Sequence, residues 1–402
     1  MSKVLTLKEA QRLILDLAQP TTPETIALDN ALGRVTAAPL KANLPVPSFD
    51  HSTRDGYAAK SSDLKRASVS APVTLRVTGE IQAGCTELPT LDMGQALRIM
   101  TGGAIPPGSD LVMAQEDVEI NSATIIVNQS PPAGAFIRKK GSTIARGRVI
   151  VRSGTTLAPD HLALLATAGA GDIKVHRKPA AAVICTGSEL VPQGKTPKPG
   201  QVISSNRLLL DGLIRTCGGT TTALLTAPDQ RLEIATELKS FLAGQVPLII
   251  TTGGMGPGKF DLMGEVFSEL KIKTIYNALE VKPGRATMLG IHGKSLIFAM
   301  PGPPPAVRLL FNELIKPALL KIGGARTPLN KLLRAELTEA IDLRSGKFLH
   351  LKGGVYLTDE GKLRVKLADR TEKINCVIHM PPGRNHLKNG EQVAIHPTAP
   401  AF

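Results

Sequence analysis

From Ala180 onward the chain alternates short apolar runs with amphipathic stretches, and that alternation restricts it to a parallel sheet wrapped by helices. Residues 181–184, 221–225, 246–250 and 295–299 read as strands. Residues 206–215, 232–242, 261–270 and 306–320 read as the helices between and after them. In such sheets ligands gather beyond the carboxyl ends of the strands. The segments predicted to stand there are polar: Thr186-Gly187-Ser188-Glu189, Ser204-Ser205-Asn206, Pro228-Asp229, the run from Thr251 to Asp261, Lys282-Pro283-Gly284-Arg285 and Pro301-Gly302-Pro303-Pro304-Pro305.

The run after the third strand carries Gly253, Gly254, Gly256 and Gly258. Without Cβ atoms a ligand can approach the backbone closely, and free amides at a following helix start favour negative charge, so the loop predicts an anionic, phosphate-bearing small molecule. Its spacing matches a Walker A loop from Gly253 to Gly258-Lys259. However, Phe260 stands where a nucleotide-binding P-loop needs a hydroxyl for Mg²⁺, which argues against that reading. The plainer alternative is a glycine turn capped by Asp261. Around it, Glu189, Asp229 and Asp261 supply carboxylates of the kind that hold Mg²⁺ against phosphate oxygens, and Lys282 and Arg285 supply cations for the anion itself. Each also has a dull reading, as a helix cap or a solvated turn residue.

Outside this region, residues 6–19 predict a helix opened by a capping box of Thr6 and Glu9 and ended by Pro20. Prolines make 44–49 extended, and 57–135 alternates as a mostly β module. After Gly323-Gly324 the pattern is β again, with a hairpin about Thr358-Asp359-Glu360-Gly361. At 402 residues and 42% hydrophobic content the chain holds several domains. No apolar run approaches the ~18 residues of a membrane helix and the N-terminus has no signal-peptide pattern, so a soluble cytoplasmic protein is expected. The four cysteines lack metal or redox spacing. The eight histidines are scattered, and His51, near Asp55, is the one to watch. The net charge of +14 is spread along the chain and aromatics total 3%, which suits anionic metabolites better than nucleic acid.

The order of motifs Phe49-Asp50-His51-Ser52-Thr53-Arg54-Asp55-Gly56-Tyr57-Ala58, Arg98-Ile99-Met100-Thr101-Gly102-Gly103, Gln115-Glu116, Gly187-Ser188-Glu189-Leu190, Gly253-Gly254, Lys282-Pro283-Gly284 and Pro301-Gly302 resembles the molybdopterin molybdenumtransferases, the MoeA family that includes the gephyrin E domain. The resemblance covers nearly the whole chain. It implies an α/β multidomain fold. A molybdopterin-binding α/β domain with a parallel-rich sheet would span 178–325, a β-rich inserted domain 46–136, an interwoven domain 1–45 with 137–177, and a C-terminal β-barrel-like domain 326–402. It also implies a homodimer, Mg²⁺-dependent hydrolysis of AMP from adenylylated molybdopterin with insertion of molybdate, and transient contact with a molybdopterin adenylyltransferase. By motif, Asp55, Thr101 and Glu189 would line the molybdate and pterin side. Asp229 and Asp261 would hold the metal and adenylate phosphate, and Lys282, Arg285, Pro301 and Pro304 would shape the anion pocket.

The chain departs from the family pattern at several points. Ser142-Thr143 stands in place of an acidic residue and Asp, and Ser204 in place of Asp. Gly256-Pro257-Gly258-Lys259 replaces a Ser-Val-Gly-acidic run, Pro303 an Asn, and Arg54 a Met. Each change removes a polar or acidic group or adds positive charge, which predicts a more cationic pocket with weaker metal binding. An inactive pterin-binding scaffold is the competing expectation.

Overall fold

The computed structural model describes residues 4–255, 262–329, 331–343, 346–359 and 361–398. They form two compact units, one of residues 1–38, 152–158 and 173–402, the other of 39–151 and 159–172.

At the centre of the first unit is a six-stranded sheet in the order Thr220–Ala227, Ala180–Thr186, Leu248–Thr252, Ser295–Met300, Met288–His292, Lys273–Tyr276. The first four strands run parallel, and Met288–His292 runs antiparallel to both of its neighbours, Ser295–Met300 and Lys273–Tyr276. Side chains alternate across it. Ala181, Val183, Leu248, Ile250, Leu296 and Phe298 pack on one face with Leu210 and Ile214 of the helix Asn206–Thr216 and with Val307 and Leu310. Ala182, Ile184, Ile249, Ile297 and Ala299 pack on the other with Ile234, Leu238, Met263 and Val266, from the helices Arg231–Ala243 and Leu262–Glu269. Strands covered on both faces read as continuous apolar runs, which is why this sheet was legible as parallel. Register places Thr186 beside Ala227 and Thr252 beside Met300, so the strands end along one edge.

The N-terminal helix is Leu7–Leu17, with Thr6 as N-cap and the reciprocal Glu9 bond in place. Ala10 and Ile14 are fully buried in the same core as Phe311 and Leu314. Thr6→Ala removes a capping bond and should cost about 1 kcal/mol, read as a shift in the urea midpoint. The single helix expected over 306–320 is instead three segments: α-helical Pro304–Leu310, a π-turn at Phe311–Ile315 and α-helical Lys316–Ile322. The π-turn is wholly buried and carries Glu313 inward. Burial alone would raise the pKa of that carboxyl, but the His379 and His396 imidazoles beside it outweigh that and hold the value at about 2.

The C-terminal strands close on themselves. Leu349–Asp359 pairs with Lys362–Leu367, then follow Leu333–Leu337, Gln392–Pro397 and Cys376–Met380, which returns to Leu349–Asp359. Closure removes the exposed edges of an open sheet. The expected hairpin is present, with Asp359 opposite Lys362. The short strand Val281–Lys282 adds in parallel to Leu349 and His350.

In the second unit the sheet order is Leu111–Ala114, Gly56–Ala59, Gln95–Ile99, Val73–Ile81, Thr124–Val127, Glu119–Asn121. Among the described residues no helix is long and apolar enough to cross a membrane.

Candidate functional site

Four of the predicted polar segments meet at the carboxyl edge of the parallel sheet, because each directly follows one of its adjacent strands: Glu189 after Thr186, Asp229 after Ala227, Gly253 after Thr252 and Pro301 after Met300. Gly253 has φ +100°, and its N–H donates to Met300 O at 3.0 Å. A Cβ there would lie 2.2 Å from Thr186 O, so only glycine lets the neighbouring strand ends approach this closely. Gly254 also has positive φ, +63°. Gly256, Gly258 and Asp261 lie outside the described residues.

Asn206 opens its helix beneath this edge. Its Nδ2 donates to Gly302 O at 2.7 Å, while its buried Oδ1 has no hydrogen-bond partner among the described residues. A buried acceptor left unpaired costs free energy, so it marks a place where a donor from a ligand or solvent belongs. The sequence singled out Asn206 only as a helix opener; one residue cannot reveal which of its atoms is left over. Ser204 and Ser205 do not cap that helix by a side-chain bond. Ser204 Oγ instead lies 3.4 Å from Thr226 Oγ1.

Glu189 is exposed, and its carboxylate folds over Gly187: Oε1 and Oε2 lie 2.7 and 2.8 Å from where a Gly187 Cβ would be. Asp229 is exposed as well, and its N–H donates to Ser188 Oγ at 3.3 Å. The dull reading of Asp229 as a helix cap does not hold, because Gln230 occupies the N-cap of Arg231–Ala243. Pro303 is the N-cap of the helix containing Pro304 and makes no side-chain cap bond.

Lys282 and Arg285 approach the same edge. The strand that follows them begins at Met288, which pairs with Ala299 next to the end of its partner strand. Gly284, at φ +110°, sits where a Cβ would strike the Leu310 side chain at 2.6 Å, packing the turn onto the helix after Pro301. Arg285 is exposed with its guanidinium 5.1 Å from the Phe348 ring centroid, a cation–π contact that holds the group in place and leaves its N–H donors usable.

Asp55 and Thr101 come together in the second unit. Asp55 Oδ1 accepts from both the Thr101 hydroxyl and the Thr101 N–H, each at 2.7 Å. Those two bonds, the hydroxyl first, hold the carboxyl below its ordinary range. Ser52 N–H donates to Gly103 O and Gly102 N–H to Ser52 O, tying the two motif loops together. His51 is not a partner in this pair: it lies in the short strand His51–Ser52 opposite Arg138, with its ring edge-on to Phe49.

Residues 5–169 match the model of the MoeA N-terminal region, domains I and II, and residues 182–321 match the probable molybdopterin binding domain. The molybdopterin molybdenumtransferase of Haemophilus influenzae is 30% identical, with 98% of each chain covered. The chain belongs to the molybdopterin molybdenumtransferase (MoeA) family. A second relative, molybdopterin molybdenumtransferase 2 of Mycobacterium tuberculosis, is 30% identical over 85% of each chain. The crystal structure of the MoeA molybdopterin biosynthesis protein from Pyrococcus horikoshii superposes with a TM-score of 0.85 at 27% identity, covering 98% of this chain and 99% of that one. The family's fold, including the C-terminal barrel, is thus present from end to end.

Proposed function

We propose that this protein acts in molybdenum cofactor biosynthesis as a transferase that inserts molybdate into adenylylated molybdopterin and releases AMP. The observation that carries the reading is the sheet edge where Glu189, Asp229, Gly253 and the unpaired Asn206 Oδ1 converge, with Lys282 and Arg285 on the adjoining turn. Glu189 and Asp229 offer hard carboxylate oxygens without a cation paired to either among the described residues, a donor set that fits Mg²⁺. With Asp261 they would hold that ion, which supplies charge neutralisation to the diphosphate when bound.

The residues divide the remaining work. Gly253 and Gly254 open the backbone to the pterin phosphate, and Lys282 and Arg285 balance the charge that builds as the P–O bond to the adenylyl phosphorus breaks. Water adds to that phosphorus, AMP leaves, and the pterin keeps its own phosphate. Asp55, clamped by Thr101, orients the molybdate side. The protein is taken to work in the cytoplasm as a homodimer that receives its substrate from an adenylyltransferase. Sedimentation of the purified chain tests the dimer.

Purified protein with adenylylated molybdopterin, Mg²⁺ and molybdate should release AMP and form cofactor. Tight pterin binding with no AMP release would instead establish a scaffold and overturn the reading. Asp261→Ala should abolish AMP release, and unchanged release would remove that residue from its assigned role.

A further inference from the structure

Away from that edge, Glu313, His379 and His396 form a cluster that the reaction does not use. Their ligating atoms all lie within 4.8 Å of one another. His379 Nε2 stands 3.1 Å from Glu313 Oε1, and His396 Nδ1 stands 3.0 and 2.9 Å from Oε1 and Oε2. The Glu313 side chain has no exposed surface, and those of His379 and His396 are 12% and 13% exposed.

Three parts of the fold converge to make it. The π-turn aims Glu313 inward. Cys376–Met380 and Gln392–Pro397 pair antiparallel with Val377 opposite His396, which puts His379 and His396 diagonally on one face. Gln11 of the N-terminal helix donates from Nε2 to Glu313 O at 2.9 Å and to Oε2 at 3.3 Å.

We propose that Glu313, His379 and His396 are the protein ligands of a zinc-class divalent cation. Two imidazoles and a carboxylate suit zinc and its late first-row neighbours, and the nitrogen donors disfavour Mg²⁺ and Ca²⁺. Donors about a tetrahedral zinc sit about 3.4 Å apart, given bonds of about 2.1 Å. The nitrogen-to-oxygen separations here, 2.9 to 3.1 Å, are somewhat shorter than that. His379 Nε2 is the decisive atom: it is buried, and although 3.1 Å from Glu313 it makes no hydrogen bond of acceptable geometry among the described residues. A nitrogen beside a carboxylate but not directed along it has its lone pair free for an ion lying between them. Gln11 then plays the outer role usual for a metal-bound carboxylate, fixing its orientation. Lys316 Nζ lies 3.5 Å from Thr398 O, and its charge also acts on Glu313. The ion would tie the N-terminal helix, the α/β domain and the barrel at one point.

The test uses the full chain, stripped with a chelator and given zinc alone, with metal content and thermal midpoint as readouts. One zinc per chain and a midpoint several degrees above that of the stripped protein are expected, since an ion that binds only the folded state stabilises it. Glu313→Gln and His396→Asn, checked for folding by circular dichroism, should lose both the zinc and the rise. If either fails to fold, His379→Ala at the rim of the cluster carries the same comparison. Cobalt in place of zinc should give visible absorption bands in the parent chain that vanish in the variants. The proposal is overturned if the parent retains no more zinc than the variants, or if neither chelator nor zinc moves its midpoint. The cluster would then be a hydrogen-bonded clasp alone.

Discussion

Gly253→Ala is expected to destabilise the first unit by about 3 kcal/mol or more and to abolish pterin binding. Two costs add: a non-glycine residue at φ +100° is strained by about 1–3 kcal/mol, and the new methyl carbon would lie 2.2 Å from Thr186 O, a backbone atom that cannot swing aside. Relief requires the ends of Ala180–Thr186 and Leu248–Thr252 to separate, which moves the loops carrying Glu189 and Gly254. Gly302→Ala is the control, since a Cβ there meets nothing within 4 Å among the described residues and its φ is not positive. Its unfolding free energy in urea should change by less than about 0.5 kcal/mol. Equal behaviour of the two variants in urea unfolding and in pterin dialysis would refute the account of the strand ends.

Asp55→Ala is expected to lower AMP release by about 100-fold or more while leaving the thermal midpoint nearly unchanged. The side chain is exposed and contributes no core packing, so its loss should leave the fold in place. Asp55→Asn separates charge from geometry, because an amide oxygen can still accept both Thr101 bonds. If the carboxylate itself matters, the Asn variant falls with the Ala variant; if only the loop clamp matters, it retains activity. Because the folded-state pKa lies below the ordinary 3.8, the clamp is complete at neutral pH and is lost only as pH falls through that lowered value. Near-parent AMP release by Asp55→Ala would take the residue out of the site.

The sequence showed most of the parallel sheet and little of the barrel, for a physical reason. Strands such as Leu248–Thr252, buried along their whole length, stand out as apolar runs, and the helices between them repeat at 3.6 residues. Leu333–Leu337 buries only part of its side chains, Cys376–Met380 is mostly buried but its short apolar run is broken by His379, and ring closure depends on pairings between strands far apart in the chain. The antiparallel pair Lys273–Tyr276 and Met288–His292 was missed on the same grounds. At the site, Glu189, Asp229 and Gly253 were legible because each follows a recognisable strand. Pairing of Asp55 with Thr101 rested on the family resemblance, since 46 positions separate them. Glu313, His379 and His396 left no local trace. A π-turn looks in sequence like any helical turn, and the histidines are neighbours only through strand register.

Val281–Lys282 draws its backbone partner from Leu349–His350, and Arg285 rests on Phe348. The terminal module is therefore not a detachable tail. Truncation before Leu333 would take away the rail on which the cation-bearing turn is mounted, and substrate affinity would fall although no residue of the sheet edge had been altered.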